Sequence, residues 1–399
     1  MLSEIWILKT IGFAILVGSV MALIEKSGGI DGFVEYAHTR QALINSPRSA
    51  LLVSYIIGLV IFIESSITSL IAGAVGKPLC DKEGVSRAKL AYVCDSTSAP
   101  VSSLIVLNGW GALLLGLISS QIAEGIISGD SVAILIDSIL YNFYAMSAVV
   151  LTFISIWFNI DLGPMKNSKS IPFKESDSLR EYASMWLMIL PIVLMVVSVF
   201  VFLYTTGDGN ILKGSGSSSI FYTMLVTLVF MFFYYVGSKN ISTKVYSQTA
   251  FKGAKKLFPI AMILLFAFGI GRVTTDLGTG LYLASLASEN LSVYFLGAVI
   301  FLLSSLIAFS TGTSWGTFSI MIPVAVPMAV AMDANVALAI GAVISGGVFG
   351  DHCSPISDTT IISSLATDCE VVEHVKTQLP YALISGIIAL VLFIAFSFT

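Results

Sequence analysis

Near its C-terminal end the chain reads Phe349-Gly350-Asp351-His352-Cys353-Ser354-Pro355-Ile356-Ser357-Asp358-Thr359-Thr360. Apolar sequence runs up to this stretch over 335–350, and another apolar run follows at 380–398. Two carboxylates, an imidazole and four hydroxyls therefore stand between segments suited to a bilayer. An acidic side chain at the bilayer centre costs at least about 2.5–3.5 kcal/mol on insertion scales, so it persists where it is paired or does work. Pro355 cannot donate a backbone N–H, and it frees carbonyls nearby. The reading is a helix that breaks inside the membrane at a polar, acidic site.

The rest of the 399 residues fits that setting. Hydrophobic residues make up 56% and charged residues only 11%, against about 25% charged in a soluble domain, and mean hydropathy is +0.93. So few charges cannot cover a soluble surface of this size. Apolar runs suited to crossing lie at 5–24, 49–63, 100–120, 133–159, 184–204, 219–237, 258–273, 293–309, 318–331, 335–350 and 380–398. A crossing needs about 20 apolar residues. The runs 49–63, 258–273, 318–331 and 335–350 fall short and adjoin Gly, Ser, Thr or Pro, which predicts broken helices or re-entrant hairpins. The expected fold is an all-α membrane protein of about 10–11 transmembrane segments, with two structural repeats, broken helices and re-entrant hairpins.

Basic residues cluster in 77–89, 161–183 and 238–257, whereas 121–131 and 286–292 carry none. The positive-inside rule puts the first three in the cytoplasm, and the expected location is the inner membrane, multi-pass. No cleavable signal follows the first apolar run. The net charge of −4 argues against a nucleic-acid partner. The four cysteines form no metal-binding spacing and read as reduced packing residues. No Gx4GK[ST] loop points to ATP drive. No nucleophile–base pair stands out, so the chain is not expected to be an enzyme.

A second polar break resembles the first. Cys94-Asp95-Ser96-Thr97-Ser98-Ala99-Pro100-Val101-Ser102-Ser103 shares its order of Asp, small polar run, Pro, branched apolar residue and Ser. Upstream of each lies another polar run at the end of a short apolar helix: Glu64-Ser65-Ser66-Ile67-Thr68-Ser69 and Ser310-Thr311-Gly312-Thr313-Ser314-Trp315-Gly316-Thr317. Paired interruptions in two halves point to a transporter's binding site. The division is a first repeat at 1–160 with a hairpin near 64–76, a cytoplasmic linker at 161–183, and a second repeat at 184–399 with a hairpin near 310–317. Whether the repeats are inverted or parallel stays open. A glycine- and serine-rich external turn is expected at 207–219.

Sodium is a hard cation that takes oxygen ligands. Asp95 with Ser96, Thr97 and Ser98 offers one set. Asp351 with Ser354, Ser357, Asp358, Thr359 and Thr360 offers another, with Glu64, Thr311, Thr313 and Ser314 as hairpin contributors. Asp95 and Asp351 are the candidate Na+ ligands. A carboxylate that takes either Na+ or H+ is the simplest basis for exchange. His352 is a candidate pH sensor; the plainer reading is a histidine bonded to Asp351 or a carbonyl. Thr311-Gly312-Thr313-Ser314 suits a hairpin tip near substrate, or tight helix packing. Arg272 with Asp276 reads as a pair across one turn, Asp137 and Asn142 as packed or interfacial, and Asn108 with Trp110 as cavity-lining candidates.

At these residues the chain resembles the NhaC-type Na+/H+ antiporter family, within the larger ion transporter superfamily. The likeness rests on the 349–360 stretch, on Gly312-Thr313-Ser314-Trp315-Gly316-Thr317, and on Lys89-Leu90-Ala91-Tyr92-Val93-Cys94-Asp95-Ser96-Thr97-Ser98-Ala99-Pro100. It runs from about residue 25 to the C-terminus. It implies a helical fold with paired re-entrant hairpins, Na+/H+ exchange by alternating access, and a site lined by Asp95, Asp351, Ser354, Pro355, Asp358 and Thr313. Relatives carry two adjacent Asp where this chain has Glu64-Ser65, and further helices before the first one here. The family also includes carriers of small organic solutes such as amino acids or hydroxy acids, a second reading that stays open. No resident cofactor is expected beyond Na+ as coupling or transported ion. The expected partners are membrane lipid, Na+, H+ and a small organic solute, and a homodimer is left open.

Overall fold

In the computed structural model, Pro355 does what its chemistry dictates. The residue before a proline is pushed out of the α region, and Ser354 is extended at φ −83°, ψ 129°. The helix ending at Cys353 stops there, and a new one starts at Asp358. The structure describes residues 5–29, 32, 46–62, 65–106, 108–169, 184–209, 214–277, 282, 285 and 292–398. All regular structure among them is helical.

The helices are α1 (Ile5–Ser27), α2 (Pro47–Val60), α3 (Ser65–Lys82), α4 (Arg87–Ser96), α5 (Ala99–Ser103), α6 (Gly109–Ala123), α7 (Ser131–Ile139) and α8 (Phe143–Trp157). After a 3-10 turn at Gly163–Asn167 come α9 (Trp186–Thr206), α10 (Gly216–Gly237) and α11 (Thr243–Asp276). Then follow α12 (Leu296–Thr311), α13 (Ser314–Ala331), α14 (Val336–Cys353), α15 (Asp358–Thr367) and α16 (Val371–Phe396). Among the described residues five helices are long and apolar enough to cross a membrane, and α7 with α8 makes a sixth span bent by 44°. This is a multi-pass membrane protein.

Local chemistry sets the helix starts. Ser46 and Ser49 form a reciprocal capping box at α2. Asn108, Asp130, Thr313 and Asn335 accept first-turn N–H groups of α6, α7, α13 and α14. Gly312 ends α12 in the left-handed region at φ 66°, a conformation that costs other L-residues about 1–2 kcal/mol.

Two hairpins meet two breaks. The α2–α3 tip lies at the first break: Asn108 Nδ2 donates to Phe62 O at 3.0 Å, and Thr97 packs against Gly58. The α12–α13 tip lies at the second, where Ser354 Oγ donates to Phe309 O at 2.8 Å. The ends of α3 and α4 meet the end of α15 through Lys77 and Arg87, which both pair with Asp368. On the same face Ser168 Oγ donates to Ser86 Oγ at 2.7 Å, so the basic stretches 77–89 and 161–169 lie together. From the second break α15 runs toward this basic face and α14 runs away from it. The open end of the α12–α13 hairpin, next to α14's start, is thus on the opposite face from that of α2–α3. The apolar interior divides into two clusters, one built chiefly on α1–α4 with α9–α10, the other on α6–α8 with α12–α14. Both breaks lie where the clusters adjoin.

Four expectations about segments change. The run 100–120 is a short helix ending at Ser103 and a second helix starting at Gly109, because Asn108 spends its amide on Phe62 O and Ser102 O and restarts the chain. The run 133–159 breaks at Leu140–Asn142, where the Asn142 amide binds Ser103. The run 258–273 is no short broken helix but part of α11, whose 34 residues span about 50 Å. That exceeds the roughly 30 Å hydrocarbon core, and its surplus carries the exposed Lys244, Lys252, Lys255 and Lys256. In the first hairpin α2 ends at Val60, ahead of 64–76, and α3 continues to Lys82.

Candidate functional site

Asp95 closes α4 and is fully buried. Its Oδ2 accepts from Gln378 Nε2 at 2.9 Å, Thr360 Oγ1 at 3.1 Å and His374 Nε2 at 3.2 Å. Its Oδ1 accepts from Ser363 Oγ at 3.4 Å, and His352 Nε2 lies 3.8 Å from Oδ2. Hydrogen bonds to a charged acceptor contribute about 1.5–3 kcal/mol each, so this carboxylate binds α15 and α16 to the end of α4. Gln378 Nε2 also donates to His352 O at 2.6 Å. With both neighbours acceptors, the amide orientation is settled by the hydrogen bonds. Ser363 reaches Ser69 Oγ of α3 at 3.0 Å, which brings the first hairpin into the cluster.

Asp351 is on the last turn of α14 and 1% exposed. Its Oδ2 accepts from Ser314 Oγ at 2.7 Å, and Ser314 also reaches Gly347 O at 3.2 Å. The other oxygen, Oδ1, has no hydrogen-bond partner among the described residues. The next residue, His352, turns toward Asp95: its Nε2 is 3.3 Å from Ser96 Oγ and its Nδ1 is 2.6 Å from Tyr144 OH. The two carboxylates are therefore joined through consecutive residues of α14.

A polar frame surrounds the break. Asn142 is buried, donates to Ser103 Oγ at 2.8 Å and accepts from Ser345 Oγ at 3.0 Å, which ties the α7–α8 bend to α5 and α14. Trp110 packs edge-on against Trp315 and Phe318, at 6.2 and 5.8 Å between ring centroids. On the basic face Lys89 Nζ is buried and donates to Ser155 Oγ, Ile160 O and Asp161 Oδ1 within 2.8 Å. Nearby, the hydrogen bond from Lys77 and then the charges of Lys77 and Arg87 hold the Asp368 carboxyl below its ordinary range. A cavity of about 340 Å³ between the outer ends of α12, α14 and α16 is lined by Asp333, Asn335 and Ser397 but holds no motif residue.

The model of the Na+/H+ antiporter family matches residues 108–398. The chain belongs to the Na+/H+ antiporter family. An uncharacterized protein of Haemophilus influenzae is 35% identical over 390 residues, covering 93% of this chain and 75% of its own length. The malate-2H+/Na+-lactate antiporter of Bacillus subtilis is 34% identical over 107 residues, 27% of this chain and 22% of that relative. In fold, the chain is similar to Neisseria gonorrhoeae MtrF, described among a class of antimetabolite efflux pumps. The TM-score is 0.63 at 14% identity, covering 98% of this chain and 81% of MtrF.

Within this Na+/H+ antiporter family member, the residues singled out from sequence divide. Asp95, Ser96, Asp351, His352 and Ser314 converge at the two breaks. His352 takes neither of its sequence-based partners: it meets Asp95, Ser96 and Tyr144, because α14's last turn points consecutive side chains to different sides. Thr97 and Ser98 turn their hydroxyls to the backbone, at Val93 O and Asp95 O. Ser354 ties the break to the hairpin tip, and Ser357 and Thr359 hydroxyls lie 3.1 Å apart. Thr360, grouped with Asp351 by sequence, binds Asp95 instead. Thr313 caps α13. Thr311 and Asp358 are exposed at the mouth of the second break. Asp137 is exposed on α7. Glu64 and the side chains of Arg272 and Asp276 lie outside the described residues, as do 210–213 of the turn expected at 207–219. All four cysteines are free and buried.

Sequence reasoning missed His374, Gln378, Ser363, Ser69 and Tyr144. His374, Gln378 and Tyr381 are spaced at i, i+4 and i+7, one face of a helix, and that spacing before the apolar run 380–398 was the available signal.

Proposed function

We propose that this chain exchanges Na+ for H+ across the inner membrane by alternating access, as a secondary transporter without enzymatic activity. The observation that carries the proposal is the pair of enclosed carboxylates, each at a helix break and each reached by hydroxyls from another helix. A protein that only scaffolds others has no use for a carboxylate held in its lipid-embedded core with one oxygen lacking a hydrogen-bond partner among the described residues, as Asp351 is. When an oxygen-lined carboxylate loses its cation, protonation is the cheapest way to keep it buried, and that competition is the exchange. The opposed hairpins support an inverted pair of repeats, 1–160 and 184–399, joined by 161–183. The coupling ions are substrates, and the reading needs no resident cofactor. Everted membrane vesicles test it. Adding Na+ to vesicles holding an acid interior is expected to restore the fluorescence of a trapped pH-sensitive dye between pH 7 and 9, with K+ as control. Vesicles that stay quenched at every Na+ concentration contradict it.

A second reading is a Na+-coupled carrier of a small organic solute. It is favoured by the partial match to the malate-2H+/Na+-lactate antiporter. Under that reading a hydroxy acid or amino acid stabilises the purified protein only when Na+ is present.

A further inference from the structure

The two buried aspartates are unequal, and the inequality separates cation binding from scaffolding. We infer that the transported cation is held at Asp351, on its Oδ1 side, and that Asp95 is a positioning residue that does not touch it. The inference rests on the exchange reading above and refines it.

Asp95 receives donors from Gln378, Thr360, His374 and Ser363, and His352 stands beside it. A cation there would face N–H and O–H hydrogens pointing at it, and admitting it means breaking the joint between α4, α15 and α16. Nothing of the cluster is exposed: Asp95, Thr360, Ser363, His374 and Gln378 are all at 0%.

Asp351 presents the opposite picture. One oxygen takes the Ser314 hydroxyl, and the other is buried with no hydrogen-bond partner among the described residues. A buried acceptor left unsatisfied costs about 1–3 kcal/mol, more when charged, and a cation removes that cost. Asp351 also sits in the last turn of an 18-residue helix, where the macrodipole is negative and favours cations over anions. Among the described residues no cationic side chain pairs with it, since His352 points to Asp95. Ser357 faces the same carboxyl, and Asp358 adds a second negative charge. These are the hard oxygen donors that Na+ takes. The seat also has an approach: Ser310, Thr311, Pro355, Ile356 and Asp358 around the hairpin tip are exposed.

The test is thermal unfolding of the purified full-length protein, titrated with NaCl at ionic strength held constant by choline chloride. The wild type is expected to gain stability with a saturable midpoint in Na+. Asp351→Asn is expected to lose the response, and Ser314→Ala to move the midpoint at least about tenfold, as losses around a metal ligand do. Asp95→Asn and Thr360→Val are expected to melt lower yet keep the wild-type midpoint. If Asp95→Asn does not fold, Ser314→Ala and Thr360→Val decide, since each touches one carboxylate only. A Na+ response that survives in Asp351→Asn and Ser314→Ala, or a midpoint that moves in Thr360→Val or Asp95→Asn, overturns the assignment while leaving exchange standing. A wild type that never responds to Na+ removes both.

Discussion

At the residue scale, what distinguishes this interior is how each acidic oxygen is satisfied. Gln378 donates to both Asp95 and His352 O. Gln378→Leu keeps most of the volume but leaves both acceptors short of a donor, and is expected to lower stability by about 2–3 kcal/mol, measured by denaturation in detergent. No loss would mean that water replaces the amide and that the cluster is wetter than its burial implies. Asp95 and Asp351 were legible in sequence because a carboxylate flanked by apolar residues has no ordinary explanation. Their partners were not. His374 and Gln378 stand in the first turns of α16, where polar side chains usually face headgroups or water, and only folding turns them inward. The partition of hydroxyls was equally hidden: Thr359 and Thr360 are neighbours in sequence, yet Thr359 meets Ser357 and Thr360 meets Asp95.

At the scale of elements, breaks are anchored by contacts from other helices. Gly312 ends α12 at φ 66°, and a Cβ there would lie 2.8 Å from Ile356 O. Gly312→Ala combines a left-handed penalty of about 1–2 kcal/mol with a clash against the second break. It is expected to cut transport several-fold and lower the melting temperature; an unchanged variant would show that the tip is free to shift. The charge network at the ends of α3, α4 and α15 is weaker. Asp368 pairs with Lys77 and Arg87, and Arg87 also pairs with Asp81. Its lowered pKa means that the stabilisation is complete above the ordinary carboxylate range and is lost as pH falls through the lowered value. Half-exposed pairs contribute at most about 1 kcal/mol. The stability difference between wild type and Asp368→Asn is expected to be flat from pH 8 to about 5, to shrink only below about pH 4, and to diminish in high salt. A difference that vanishes near pH 6 would assign it to another group. Proline and glycine made the breaks at 97–98 and 354–357 readable. The bend between α7 and α8 has neither, only Leu140-Tyr141-Asn142, and depends on Asn142 finding Ser103 and Ser345 across the fold.

At the scale of the molecule, the two hairpins enter from opposite faces and their tips meet the two breaks, so motion at either face bears on the same polar centre. The sidedness is testable because the native cysteines are buried. Ser128→Cys, between α6 and α7, is expected to react with an impermeant maleimide on intact cells, and Ser238→Cys, between α10 and α11, only after permeabilisation. The reverse pattern would invert the topology. Charge bias predicts this orientation, whereas the length of α11 was not readable, since its lysine-rich first half resembles a loop until it is seen to continue one 34-residue helix.

The most direct measurement is 22Na+ uptake into proteoliposomes with an imposed acid-inside pH gradient, comparing wild type with Asp351→Asn at matched protein levels. Uptake by the wild type that stops when the gradient is dissipated, with none by the variant, is the expected result. Gradient-independent or absent uptake by the wild type, or equal uptake by Asp351→Asn, would contradict the account.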